Sequence, residues 1–490
     1  MNADKANKTE SRPPVVVVMG HVDHGKTTLI DYIRKTNVAS REAGQITQSI
    51  GAYEIEHNNR RITFIDTPGH EAFTKMRSRG ARVADLAVLL VAADDGVKPQ
   101  TKEAAKILEE AKIPFVVAIN KVDRPEANID KVKQELTEAG VFLEGFGGNI
   151  SFQPISAKRG DGVSDLLDLI ILAADVENLT YSPEVSARGF VLEAKIDSRR
   201  GREVSVVLKD GVLRTGDDIF TPTAEGKIKI LENFLGEKAG ELIPSAPALV
   251  IGFEDLPKVG EEFFIGSKLM NREVGIEKIP KSALIQANAN NKEPEIKIIL
   301  KASDAGSIEA LGSVIRGITP DNEIAVVGES VGDVGDGDVK NAIATKSIIV
   351  GFKNKISKSA ENLAEANGIK IVTSPVIYDL IKSVEGLLAD IKEPPPVGEL
   401  EILAVFNQEK QKKQLVGGKV VSGIFKNSAE FDISRGEEII GRGRVASLQS
   451  QKQVSDQVEE GKEAGLVVEA SVLIEKGDRL IIKGRIKHKK

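Results

Sequence analysis

Residues Gly20–Thr27 read GHVDHGKT and follow directly on the apolar run Val15–Met19, VVVVM. The octet has the form G-x-x-x-x-G-K-T. In that pattern a buried strand ends, two glycines let the backbone curl so that its N–H groups point inward, and a helix begins. The octet therefore reads as a phosphate cradle. Gly20, His21, Val22, Asp23, His24 and Gly25 form its loop, Lys26 reaches the terminal phosphates, and the Thr27 hydroxyl takes a place on a magnesium ion, with Thr28 beside it.

Working outward, Asp66-Thr67-Pro68-Gly69 closes the apolar strand Arg61–Ile65, and Asn120-Lys121-Val122-Asp123 closes the strand Pro114–Ile119. Ser156-Ala157-Lys158 closes the strand Phe152–Ile155. These polar motifs sit at the carboxyl ends of apolar strands separated by helical patterns. In an open parallel sheet those ends share one edge, and ligands bind there. Asp66 is expected to hold magnesium through a water, and Gly69 to offer its N–H to a γ-phosphate. Asp123 reads the base. Guanine presents two adjacent donors that one carboxylate accepts, whereas adenine leaves that carboxylate unsatisfied, and an unsatisfied buried polar group is costly. The expected nucleotide is GTP. Asn120 and Lys121 buttress the base loop, and the turn of Ser156, Ala157 and Lys158 completes the guanine-binding set, with the Ala157 N–H meeting the guanine carbonyl. His70 follows Gly69, where a side chain can orient the attacking water. Of five histidines, His21, His24 and His70 lie in these motifs, which weights the functional reading.

Composition bounds the rest. A chain of 490 residues predicts several domains with ample core, and 41% apolar with 29% charged residues is ordinary for globular proteins. The absence of cysteine excludes disulfides and thiolate metal sites and is consistent with a reducing, cytoplasmic setting. Leu86–Ala93 is strand-length and too short to span a bilayer, and the first fourteen residues are polar, so neither a membrane span nor a secretory signal is expected. A net charge of −6 argues against blanket nucleic-acid affinity and leaves such a partner to local basic patches.

Residues 1–12 read as a disordered leader. Residues 13–178 alternate strand and helix, with an antiparallel pair around the Asn58-Asn59 turn, and form the nucleotide-binding domain. From 185 to 275 the period shifts to two, as in a small β-barrel, with Arg199, Arg200 and Arg202 in one turn. Residues 290–375 return to α/β without a phosphate octet. Within them Gly328–Asp338, GESVGDVGDGD, lacks the spacing of a calcium loop and reads as a turn into a capped helix. Residues 376–393 carry a helical apolar stripe and end at Pro394-Pro395-Pro396, residues 397–485 form a second β-barrel, and 486–490 are a basic tail.

Gly20–Thr28 as GHVDHGKTT, Asp66–Phe73 as DTPGHEAF and NKVD at 120–123 resemble the translational GTPases, and Ala43–Tyr53, AGQITQSIGAY, resembles the first switch segment of bacterial translation initiation factor two. Arg200–Asp217 parallels the second domain of those GTPases. The resemblance covers about residues 13–484 and lacks the long N-terminal extension common in bacterial members. It implies a multidomain α/β plus β fold: a P-loop GTPase doubly wound sheet, a β-barrel, an α/β sandwich domain, a connecting helix and a second, initiator-tRNA-binding β-barrel. It further implies that Thr47 closes on magnesium and the γ-phosphate. The implied activity is ribosome-stimulated hydrolysis of GTP by a monomer. The implied partners are both ribosomal subunits and initiator formylmethionyl-tRNA. The sequence departs from the family pattern in the last barrel, at Ile424, Gln449, Ser450, Gln451 and Ala464. Two alternatives stay open at this point, an elongation-type aminoacyl-tRNA carrier and a ribosome-binding or assembly module whose GTP site is structural.

Overall fold

The computed structural model describes residues 9–34, 51–69, 71–266, 296–318, 324–392, 396–407, 413–436, 438–450 and 453–483. Thr47, His70, Gln451 and the tail 486–490 lie outside the described residues.

Val15–Gly20 (β2) is fully buried and lies in a sheet ordered β3-β4-β2-β5-β6-β7. Its partners are Gly51–His57 (β3), Arg60–Asp66 (β4), Leu86–Ala92 (β5), Phe115–Asn120 (β6) and Phe152–Pro154 (β7). All pairings are parallel except β3 with β4. That hairpin turns at Asn58 and Asn59, with φ of 49° and 60°, the left-handed pair that a two-residue turn requires and that asparagine tolerates. Continuous β-branched and leucine runs suit β2 and β5 because helices cover both faces. These helices are Lys26–Arg34 (α1), Thr74–Val83 (α2), Pro99–Ala111 (α3), Ile129–Glu138 (α4) and Val163–Val176 (α5).

The leader is ordered at its C-terminal end, which corrects the expected disorder of residues 1–12 for its last residues. Glu10–Ser11 (β1) pairs antiparallel with Thr180–Tyr181 (β8), and Arg12 forms a two-pronged ion pair with Asp85 at 2.6 and 2.7 Å. The reason lies in Asp85, a carboxylate with little solvent access that also accepts from the Val15 N–H (2.9 Å) and from Lys209 Nζ (2.5 Å). A buried charge needs such partners.

Lys209 belongs to a closed barrel ordered β10-β15-β13-β12-β16-β9. Its strands are Arg188–Asp197 (β9), Gly201–Asp210 (β10), Asp218–Phe220 (β12), Glu225–Asn233 (β13), Pro247–Phe253 (β15) and Glu262–Ile265 (β16), with Leu213–Arg214 (β11) and Glu241–Leu242 (β14) pairing apart. The Ser245 hydroxyl donates to the Pro13 carbonyl and Thr63 Oγ1 donates to the Ser245 carbonyl, so barrel and nucleotide-binding domain share a bonded seam. Of the basic turn, Arg200 is engaged by Glu203 and Glu232.

A four-stranded parallel sheet follows, β18-β17-β19-β20, of Ile296–Ala302 (β17), Ile324–Val331 (β18), Ile348–Phe352 (β19) and Ile371–Ser374 (β20). Ala305–Ile318 (α6), Asp336–Thr345 (α7) and Lys358–Asn367 (α8) connect it. The acid-rich loop ends as a helix cap, where the Gly335 N–H donates to Asp338 Oδ2 at 2.9 Å. Ile377–Lys392 (α9) buries Ile377, Leu380, Val384 and Leu388. At about 1.5 Å per residue its sixteen residues span roughly 24 Å.

Two compact units divide within α9, Met1–Ile381 and Lys382–Lys490. The second contains Pro396–Asn407 (β21), Gln414–Lys426 (β22), Glu430–Arg435 (β23), Glu438–Ser450 (β24), Gln453–Val454 (β25), Gln457–Glu459 (β26), Glu463–Ala470 (β27) and Arg479–Lys483 (β28). The path β21-β28-β23-β24-β27-β22 closes through the pairing of β21 with β22, giving a second barrel. Ala464 and Leu448 lie in its core, while Phe406 is 67% exposed on its outside.

Candidate active site: the nucleotide cradle

The octet leaves β2 and enters α1 as a tight loop. Gly20 has φ +155°, and a Cβ there would stand 2.4 Å from the Leu90 carbonyl oxygen. Gly25 has φ +95°, and its Cβ would stand 2.4 Å from Asn120 Nδ2. Only glycine meets both demands. Asp23 also adopts a left-handed conformation, φ 64°.

The Lys26 ammonium is buried inside the loop and donates to the carbonyls of Gly20 (2.9 Å) and His21 (2.6 Å). Burial pushes it down to about 8, with the Asp66 carboxylate opposing and the Arg77 guanidinium assisting. His24 is fully buried and pushed down to about 4, first by burial and then by the charges of His21 and Lys26, so it is neutral at physiological pH. Its Nε2 stands 3.5 Å from Asp95 Oδ2, and its ring meets His21 edge-on at 5.0 Å. The Val22 N–H donates to Gln100 Oε1 at 3.0 Å, so α3 helps to set the loop.

Gly69 closes the far wall. A Cβ on it would lie 2.5 Å from Lys26 Nζ and 3.2 Å from the Val22 nitrogen, so bare backbone faces the ammonium here. Asp66, at the end of β4, is 9% exposed, and its negative charge opposes the effect of burial on the Lys26 ammonium. With the Thr27 hydroxyl on the first turn of α1, the donors are oxygen only. Such a set fits magnesium, which takes few protein ligands and completes its shell with phosphate oxygens and water. Among the described residues no cluster of three or more His, Cys, Asp or Glu forms a protein-only cage.

Asn120 joins this cradle to the base side. Its Nδ2 donates to the His24 carbonyl (2.8 Å) and its Oδ1 accepts from the Ala157 N–H (2.9 Å). The Ala157 amide, expected to meet the guanine carbonyl directly, is here held by Asn120. The Ser156 hydroxyl donates to Asp123 Oδ1 at 2.7 Å and Arg159 Nε lies 3.8 Å from Oδ2; the Ser156 bond foremost holds the Asp123 carboxyl below its ordinary range. Asp123 is thus an oriented anion. Lys121, with φ 63°, turns its ammonium toward Asp94 at 3.7 Å. Gly20 to Thr28, Asp66, Gly69, Asn120 to Asp123 and Ser156 to Lys158 all lie at the carboxyl edge of one sheet.

Sequence reasoning missed Gln100, Arg77 and Glu103. Arg77 falls on the same helical face as Phe73, Gly80 and Ala81, all buried. A charge on an apolar face was the available signal.

A parallel sheet with these motifs along one edge, followed by β-barrels, defines a translational GTPase. Residues 12–175 match the elongation factor Tu GTP binding domain, 186–266 elongation factor G domain 2, and 274–385 translation-initiation factor 2. Translation initiation factor IF-2 of Thermosipho africanus is 39% identical over 96% of this chain and 70% of its own length. That of Thermotoga sp. strain RQ2 is 39% identical over 97% and 71%. GDP-bound aIF5B from Aeropyrum pernix is 27% identical, covering 96% of this chain and 92% of its own, with a TM-score of 0.48. The chain belongs to the translation initiation factor IF-2 family and is a GTP-binding GTPase of translation initiation.

Proposed function

We propose that the GTP-bound chain promotes binding of initiator formylmethionyl-tRNA to the small ribosomal subunit and joining of the large subunit, and that hydrolysis then releases it. The observation that carries the nucleotide side of this reading is the Asn120 side chain, bonded at once to the phosphate loop and to the base loop. Lys26 neutralises the terminal phosphates, the Gly69 N–H senses the γ-phosphate, and Asp123 accepts both donors of guanine. Asn120, Lys121, Ser156, Ala157 and Lys158 shape the base loop. Thr27 and Asp66 would hold magnesium, with Thr47 joining them in the GTP state; the ion would add positive charge at the phosphates. His70 places the attacking water.

The C-terminal barrel takes the initiator tRNA end. Ala464, one of the departures from the family pattern, is a small apolar residue within that barrel's core. The factor is read as a cytoplasmic monomer; among the described residues no helix is long and apolar enough to cross a membrane. The order barrel, α/β domain, helix, barrel sets the chain apart from carriers with two barrels in succession.

Phosphate release with and without ribosomes, paired with retention of initiator against elongator tRNA, tests this. Ribosomes should accelerate release, and His70→Ala should keep GTP affinity while stimulated hydrolysis falls at least about tenfold. Equal retention of both tRNAs would sink the initiation reading.

A further inference from the structure

We propose that Arg77 is a positioning residue for the γ-phosphate contact, holding the Pro68–Gly69 peptide so that the Gly69 N–H faces the cradle. The inference rests on the reading of Gly69 as the γ-phosphate sensor. The Pro68 carbonyl and the Gly69 N–H belong to one planar peptide unit and point in opposite directions. Whatever grips the carbonyl aims the N–H. Arg77 Nη1 donates to the Pro68 carbonyl at 3.1 Å. Glycine has no Cβ to restrict its rotation, so the orientation of this peptide has to be imposed from outside.

The guanidinium is itself fixed. Its Nη2 donates to Glu103 Oε1 at 2.7 Å and to Thr74 Oγ1 at 3.0 Å, and the Thr74 hydroxyl donates to the same Glu103 oxygen at 2.7 Å. The Arg77 side chain is 1% exposed, and a charge buried that deeply without satisfied partners would be costly. Helix α2 lies hard against the motif. A Cβ at Gly80 would already come within 2.8 Å of Thr67 Cγ2 and 3.2 Å of Val17 Cγ2. The distance from helix to peptide is therefore set by packing.

Glu103 sits one turn beyond Gln100 on α3, and Gln100 accepts from the Val22 N–H. One helix thus braces both walls of the cradle, the phosphate loop directly and the Pro68–Gly69 peptide through Arg77. The positive charge of Arg77 also reaches the cradle, since it helps to depress Lys26. A cation on the carbonyl polarises the same peptide unit and strengthens its N–H as a donor.

GDP has no γ-phosphate, so the test is the ratio of affinities for a non-hydrolysable GTP analogue and for GDP, measured on the full chain by displacement of a fluorescent nucleotide. Arg77→Met should lower affinity for the analogue about tenfold, the worth of one hydrogen bond to a charged group, and change that for GDP by less than about twofold. Gly69→Ala should move the same ratio, and the double variant should lose little more than Gly69→Ala alone. Should Arg77→Met not fold, Glu103→Gln loosens the guanidinium while keeping its charge and should shift the ratio about threefold. The proposal is overturned if Glu103→Gln and any folded Arg77 variant weaken both nucleotides equally, or neither, while Gly69→Ala shifts the ratio. If Gly69→Ala leaves the ratio unchanged, the γ-phosphate reading of Gly69 falls first and takes the role of Arg77 with it.

Discussion

Replacing Glu193 by glutamine should stabilise the protein, and more so the higher the pH. Glu193 lies on β9 of the first barrel, 7% exposed. Its Oε1 accepts from the Ala194 N–H (2.9 Å) and, across the domain boundary, from the Gly306 N–H (3.0 Å) on the first turn of α6. Burial first, and then the negative Asp304 beside it, push its carboxyl up to about 8. The folded chain therefore keeps a proton that the unfolded chain gives up near 4.5. Between those values the folded state binds more protons, so stability falls as pH rises through the window. At about 1.36 kcal/mol per pH unit, the gap sets a ceiling on the order of 5 kcal/mol, reached above pH 8 and absent below about 4.5. Glutamine is neutral throughout and its carbonyl oxygen accepts from the same amides. Calorimetric melting of both full chains at pH 5 and pH 8.5 reads the difference. The variant should melt close to wild type at the lower pH and several degrees above it at the higher. A difference that is flat in pH, or a variant that melts lower at pH 8.5, would refute the argument.

Other outcomes follow from the same geometry. Asp85→Asn leaves Arg12 and Lys209 without their shared anion and should cost about 3–5 kcal/mol in denaturant or thermal unfolding; the Arg12 bonds and the Lys209 charge outweigh burial and hold the wild-type carboxyl low, so its contribution is lost as pH falls through the carboxylate range. Gly25→Ala combines a left-handed backbone with a 2.4 Å clash on Asn120 and should abolish GTP binding by calorimetry while much of the fold survives circular dichroism. Because Lys26 lies at about 8 before phosphate arrives, GTP binding above that pH should take up a proton. Calorimetry in buffers of different ionisation heat should show this uptake, with affinity declining as pH rises past 8.

The parts of this protein legible in its sequence are those where local chemistry and local structure coincide. The phosphate loop, NKVD and the Ser156–Lys158 turn each state their role within a few residues, and the strand before each motif supplies its place on the sheet edge. The change to a period of two marks the first barrel, and a return to short strands and turns marks the second. What escaped is the set of buried charges. Asp85 and Glu193 give no local sign of burial, and Arg77 shows it only as a charge on an apolar helical face. Their burial depends on partners far away in the chain, such as Asp85 on Arg12 and Lys209, or Glu193 on Gly306. Arg12 was assigned to a disordered leader for the same reason, since a polar dozen residues gives no sign of an anion waiting under the sheet. Ala157 shows a finer limit. The sequence presents its amide as a guanine contact, but the competing acceptor on Asn120 is visible only in three dimensions.

That single amide side chain has a further consequence. Because that side chain bonds to both loops, the grip on phosphate and the grip on base are coupled through it, and Asn120→Ala should loosen the two together.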